Sequence, residues 1–161
     1  MVRMDGIRLF DGHCDTVSRN CRPERDAYRA HGDLAANDGH LDLDRLERAY
    51  SGRCQFFALF GYPEDFPGRS REEIFQLEYG WFQGQMERHA GRVSQCRTGE
   101  EARQALALGR TAAFLSVEGA ELLGCDPARL EEAHRLGIRA VNLTWNYANA
   151  LSGSNAEEPE G

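Results

Sequence analysis

The sequence predicts an α/β fold, parallel strands with helices packed outside them, and three observations predict it. Four short apolar runs are continuous rather than alternating, the pattern of strands buried on both faces. Capped helical segments separate them, so each passage from strand to strand is a crossover, and crossovers make neighbouring strands parallel. The chain has 161 residues, 41% apolar and 28% charged, which suits one domain with a real core.

The apolar runs are residues 7–10, 54–60, 112–117 and 138–143. A short helix is expected from near Asp42 or Asp44 through Leu46 and Ala49. Ser70-Arg71-Glu72-Glu73 is a capping box, opening a helix with Ile74, Leu77, Trp81 and Met86 as its apolar stripe and Gly91 as its end. Thr98-Gly99-Glu100-Glu101 is a second box, followed by Ala102, Ala105 and Leu106 and stopped at Gly109. Asp126 and Pro127 open a third helix whose stripe is Leu130, Ala133 and Leu136, with Gly137 as the C-terminal glycine. Residues 16–39 and 144–161 read as long irregular stretches, each following a strand on the side where parallel α/β enzymes keep their active sites. A closed eight-stranded α/β barrel takes roughly 200 to 250 residues. About four strands are expected here, so residues 1–161 read as one domain amounting to half of a larger architecture.

Composition narrows the function. Acidic residues outnumber basic ones 26 to 19, a net charge of −7, which argues against nucleic acid or an anionic membrane as partner. All 19 basic residues are arginine. Without lysine there is no Schiff-base lysine, no phosphate-loop lysine and no carbamylated lysine bridging two metals. No apolar run reaches signal-peptide or membrane-spanning length, so the expectation is a soluble, cytoplasmic chain. Five cysteines, an odd number with no C-x-x-C pair, read as free thiols.

The sharpest chemical signal is Asp11-Gly12-His13-Cys14-Asp15 at the end of the first apolar run. In an extended backbone residues i and i+2 share a face, so His13 and Asp15 can converge on one cation while Cys14 turns toward the outer helices. The bland alternative is a histidine bonded to its neighbours with Asp15 capping a turn. His40-Leu41-Asp42 has the same spacing but no apolar run before it; Asp42 reads better as a helix cap and His40 as a loop residue. The second signal is Val117-Glu118-Gly119, a carboxylate closing a buried strand. Such a group must be solvated, paired or bound to metal, and the competing reading is a salt bridge to an arginine. His31, His89 and His134 read as surface residues, and the Phe56-Phe57 and Trp81-Phe82 pairs as core. No G-x-S-x-G elbow, dinucleotide fingerprint or phosphate loop is present.

Asp11-Gly12-His13-x-Asp15, the Gln55-Phe56-Phe57 strand, Val117-Glu118-Gly119 and the segment from Leu136 through Asn142-Leu143-Thr144-Trp145-Asn146 occur in this order. Together they resemble the N-terminal half of the renal (membrane) dipeptidase family of the amidohydrolase superfamily, over nearly the whole chain. The resemblance implies a (β/α)8 barrel of the TIM type, of which this chain supplies about the first four units, with two zinc ions at the C-terminal ends of the strands. It implies that His13 and Asp15 bind the first zinc and that Glu118, the catalytic carboxylate, bridges both. Water between two zincs has its pKa lowered toward about 7, so hydroxide would cleave a dipeptide without a covalent acyl-enzyme. The family's remaining ligands, two histidines, and its proton-transfer aspartate lie on later strands than this chain contains. Trp145 stands where many members carry a histidine that contacts substrate, so Trp145 and Asn146 are the expected substrate-binding pair. The expected partners are a small dipeptide and either a C-terminal half or a second copy of the chain, with neither nucleic acid nor membrane. Alone, this half is expected to be inactive; the competing reading is a silent half-barrel that binds metal or acts as an assembly module.

Overall fold

Each of the four apolar runs becomes a strand of one sheet, in a computed structural model that describes residues 4–154. In chain order the elements are β1 (Met4–Asp11), α1 (Thr16–Cys21), α2 (Leu43–Ala49), β2 (Tyr50–Leu59), α3 (Arg71–Arg88), β3 (Val93–Gln95), α4 (Gly99–Ala107), β4 (Thr111–Glu118), a 3-10 turn (Ala120–Leu123), α5 (Ala128–Leu136) and β5 (Ile138–Asn142). All pairings in the sheet are parallel. β1 pairs with β2 and β2 with β4, while β4 carries two neighbours, β3 along its first residues and β5 along its last. The sheet is open among the described residues, with β1 at one edge. No helix among them is long and apolar enough to cross a membrane.

Period-two alternation sorts the core into two faces. Phe57 pairs in register with Leu115, and Leu59 with Val117. All four are fully buried, in one cluster with Ile74, Phe75 and Phe82 of α3. Cys54 is in register with Ala112, and Phe56 with Phe114, and these point the other way. Against that second face lies α4, whose Ala102 and Ala105 pack with Cys96 and Ala112. Helices therefore flank the sheet on both faces, as the expected layout of parallel strands with helices outside them requires. Small side chains let α4 sit close against the strands, and Gly52 leaves room for the Arg8 side-chain stem that lies across β2.

The first capping box forms in full, and the second forms by half, the Glu101 carboxylate accepting the Arg97 N–H in place of that of Thr98. The Ser70 hydroxyl accepts the Glu73 N–H at 3.2 Å and the Glu73 carboxylate accepts the Ser70 N–H at 2.7 Å. Thr98 accepts the Glu101 N–H at 3.1 Å. Asp42 does cap α2, accepting the Arg45 N–H at 2.7 Å. Gly137 closes α5 with φ +102°, a left-handed conformation only glycine adopts freely.

The stripe on α3 is set differently from its prediction. Ile74, Phe75, Glu78, Phe82, Gln85 and Met86 are buried, while Leu77 and Trp81 pack only partly against the core. Apolar residues occupy two adjoining arcs of this helix, and the phase is decided by which rings fit the sheet, as where Phe82 meets Phe57 with centroids 5.8 Å apart. Two polar residues are drawn in with them. Gln85 accepts the Leu34 N–H at 2.9 Å, and Glu78 accepts the Phe60 N–H at 2.7 Å. The stretch expected to be irregular from residue 16 opens with a helix, α1, and its remainder is tied by side chains to distant partners. His89, expected at the surface, is one of them: its side chain is 14% exposed and pairs with Asp33 at 3.2 Å.

Candidate active site

β1 ends at Asp11, and residues 12–15 turn from it into α1. The turn is held at both ends: the Asp11 carboxylate accepts the His13 N–H at 3.2 Å, and the Cys14 carbonyl accepts the Ala58 N–H of β2 at 3.0 Å. His13 and Asp15 therefore meet on the short segment 12–15, which carries the chain from β1 into α1 and keeps Cys14 hydrogen-bonded to β2 in the register of the strand pair. Asp15 occupies the N-cap position of α1 without using its side chain as a cap, which leaves the carboxylate to face His13. Cys14 turns inward and packs against the main core, where burial pushes its thiol up to about 12.

Glu118 closes β4, and its carboxylate reaches the same spot from across β2. His13 Nε2 lies 3.1 Å from Asp15 Oδ1 and 3.4 Å from Glu118 Oε2. One ligand atom from each of the three residues falls within 4.8 Å of the others. Burial pushes the Glu118 carboxyl above its ordinary value; His13 opposes that rise and Asp15 adds to it. Among the described residues no arginine pairs with Glu118, so the salt-bridge alternative is not realised there. One imidazole and two carboxylates with an open side form a donor set that suits a divalent metal such as zinc, and the three residues fit one.

Gly119, with φ +86°, lets the chain turn directly after Glu118. A Cβ here would lie 2.7 Å from the Glu121 carboxylate, so the glycine also admits a second acid beside the first. The cavity over the triad, about 290 Å³, runs past Phe60 and Trp145. A larger one of about 820 Å³ shares those two residues, Arg22 and Tyr28 with it and continues to Tyr62, Glu121 and Tyr147. Trp145 thus stands at the junction of the two cavities. Asn146 is exposed and lines neither, and its carbonyl accepts the Ser154 hydroxyl. His40 lines the triad cavity, whereas Asp42 is occupied with capping. Sequence reasoning missed the aromatic wall and Glu121. The second acid in Glu118-Gly119-Ala120-Glu121 was the available signal.

A model of the membrane dipeptidase family, peptidase family M19, matches residues 3–161. The chain belongs to that family. Among curated proteins, dipeptidase verJ of Clonostachys rogersoniana is 26% identical, over 92% of this chain and 40% of its own length. A solved M19 member, dipeptidase AC, a metallopeptidase, is 26% identical with a TM-score of 0.65, covering 87% of this chain and 45% of that one. A metallopeptidase from Rhodobacter sphaeroides, liganded with a phosphinate mimic of the dipeptide L-Ala-D-Ala, shares the fold with a TM-score of 0.65 at 24% identity, covering 87% of this chain and 46% of that one. The chain spans about half the length of these relatives, and its parallel strands with flanking helices correspond to part of their fold.

Proposed function

We propose that this chain carries the first half of a zinc-dependent dipeptidase site, and that the complete protein hydrolyses the peptide bond of dipeptides. The triad of His13, Asp15 and Glu118 is the observation that carries this reading, because its three ligand atoms lie within 4.8 Å of one another at the strand ends of a membrane dipeptidase fold. In this reading His13 and Asp15 hold the first of two zinc ions and Glu118 is the carboxylate shared by both. When bound, such a cation polarises a peptide carbonyl and acidifies water. The chain's own part is to hold His13 by the Asp11–His13 contact, to keep Glu118 half-sheltered behind Phe60 and Trp145, and to present the Trp145 indole as a wall for the dipeptide. Asn146 joins Trp145 as the second proposed substrate contact. A cytoplasmic location is part of this reading, on the odd number of cysteines without a C-x-x-C pair.

The test is zinc titration of the chain followed by metal analysis after gel filtration. His13→Ala and Glu118→Ala are expected to weaken retention by about 10-fold or more, and a C-terminal half supplied in trans is expected to restore cleavage of a simple dipeptide. Unchanged metal content in both variants overturns the reading.

The second reading is the silent assembly module, which draws on the same surface that a C-terminal half would cover. Phe10 is 71% exposed on the face where Phe56 stacks on Phe114, and β1 has a free edge among the described residues. Metal retention with no hydrolysis after complementation would select it.

A further inference from the structure

Glu121 is 7% exposed in the 3-10 turn that follows β4. Its Oε1 accepts the Tyr62 hydroxyl and its Oε2 accepts the Asn149 amide at 2.7 Å. Both donors are neutral, and among the described residues no arginine or histidine pairs with it. The carboxylate is therefore sheltered between two neutral donors with no ion-pair partner among the described residues, which leaves a place for a cation beside it.

The wall beside it is aromatic. Phe60 and Trp145 lie 4.9 Å apart by ring centroid, Phe60 and Tyr62 5.6 Å, and Tyr62 and Tyr147 5.7 Å. Trp145 and Tyr147 remain 41% and 55% exposed, so their rings are open to a ligand in the 820 Å³ cavity. Two lining arginines do not answer Glu121. Arg22 is engaged by Asp26 at 2.7 Å and Asp65 at 3.1 Å, and Arg71, whose charge acts on the Tyr62 hydroxyl, forms no ion pair with Glu121 among the described residues.

We infer that this cavity takes a cationic group, guanidinium or ammonium, on a substrate side chain, with Glu121 as its counter-ion and the Trp145 and Tyr147 rings as its walls. The substrate class is then dipeptides containing arginine or lysine. The inference rests on the dipeptidase reading only for what the cation is attached to. A dipeptide at the triad would reach Glu121 along the wall that the two cavities share at Phe60 and Trp145.

The test uses the full 161-residue chain treated with EDTA, in a Trp81→Phe background that leaves Trp145 as the sole tryptophan reporter. Fluorescence titrations compare alanyl-arginine with alanyl-citrulline, its neutral isostere, and with alanyl-phenylalanine. Alanyl-arginine is expected to bind at least about tenfold more tightly than either. Glu121→Gln, which keeps an acceptor for Tyr62, is expected to bring the arginine-to-citrulline ratio to about one. Equal affinities in the unsubstituted site, tighter binding of the phenylalanine peptide, or a ratio that survives Glu121→Gln overturns the inference. Should Glu121→Gln not fold, Tyr147→Leu takes its place: a reduced ratio supports the cationic site and an unchanged one overturns it. Metal retention in His13→Ala is read separately, so either reading can fail while the other stands.

Discussion

The Glu78 carboxylate, fully buried in α3, accepts the backbone N–H of Phe60 at 2.7 Å and so ties the outer helix to a residue that lines both cavities. Its other oxygen has no partner among the described residues. Burial pushes this carboxyl well above the ordinary value, with the Phe60 N–H opposing the rise. A folded-state value above the unfolded one means that stability is greatest below the unfolded pKa and declines as pH rises toward the folded one. Glu78→Gln, which keeps an acceptor for Phe60 and carries no charge, is therefore expected to gain in melting temperature over wild type as pH rises from about 5 to 8, and to match it near pH 4. Thermal melts across that range check this, and a constant difference would refute it.

Phe57 lies at the centre of the main core, between Leu115 and Phe82. Phe57→Ala is expected to cost about 3–5 kcal/mol, the range for emptying a buried phenylalanine site. Urea denaturation measures it. A cost below about 1 kcal/mol would mean that the site collapses around the gap.

Asp42 is 3% exposed, caps α2 and pairs with Arg45 at 2.8 Å. Burial raises its carboxyl, but the Arg45 side chain and the N–H groups of Arg45 and Asn37 outweigh burial and hold it below the ordinary value. Its contribution is thus present above the unfolded pKa and is lost as pH falls through the folded one. Asp42→Ala is expected to cost about 1–2 kcal/mol at pH 7 and progressively less below about pH 4. Denaturant midpoints at the two pH values decide it.

Cys14 sits between the two residues proposed as metal ligands yet packs into the core. Cys14→Ala is expected to leave zinc content unchanged, whereas Asp15→Asn is expected to lower zinc affinity about 10-fold or more. Metal analysis of both variants separates a thiol that packs from one that ligates.

Phe10, 71% exposed beside Phe56 on the second face of the sheet, should drive self-association of this chain at micromolar concentration. Phe10→Arg is expected to reduce it in sedimentation experiments without lowering the melting temperature by more than a few degrees.

The local parts of the fold are legible in the order of residues alone. Continuous apolar runs mark β1, β2, β4 and β5, and the Ser70 and Thr98 boxes mark the starts of α3 and α4, because a cap closes its hydrogen bonds within about four residues. α1, β3 and the 3-10 turn are not legible, being short and dependent on distant partners. The His13-x-Asp15 pair can be picked out from its spacing, but that Glu118 reaches it from across β2 cannot, since only the sheet pairing brings β4 to that rim. Glu121 and Tyr62 stand 59 positions apart, and only the pairing of β2 with β4 carries their chain ends to one rim. What the sequence by itself determined was which segments become strands and helices and which three groups can share a cation. Tertiary structure alone decided which face α4 covers, which arc of α3 is buried, and that a sheltered carboxylate meets an aromatic wall, since each depends on shape fit between segments that share no local signal.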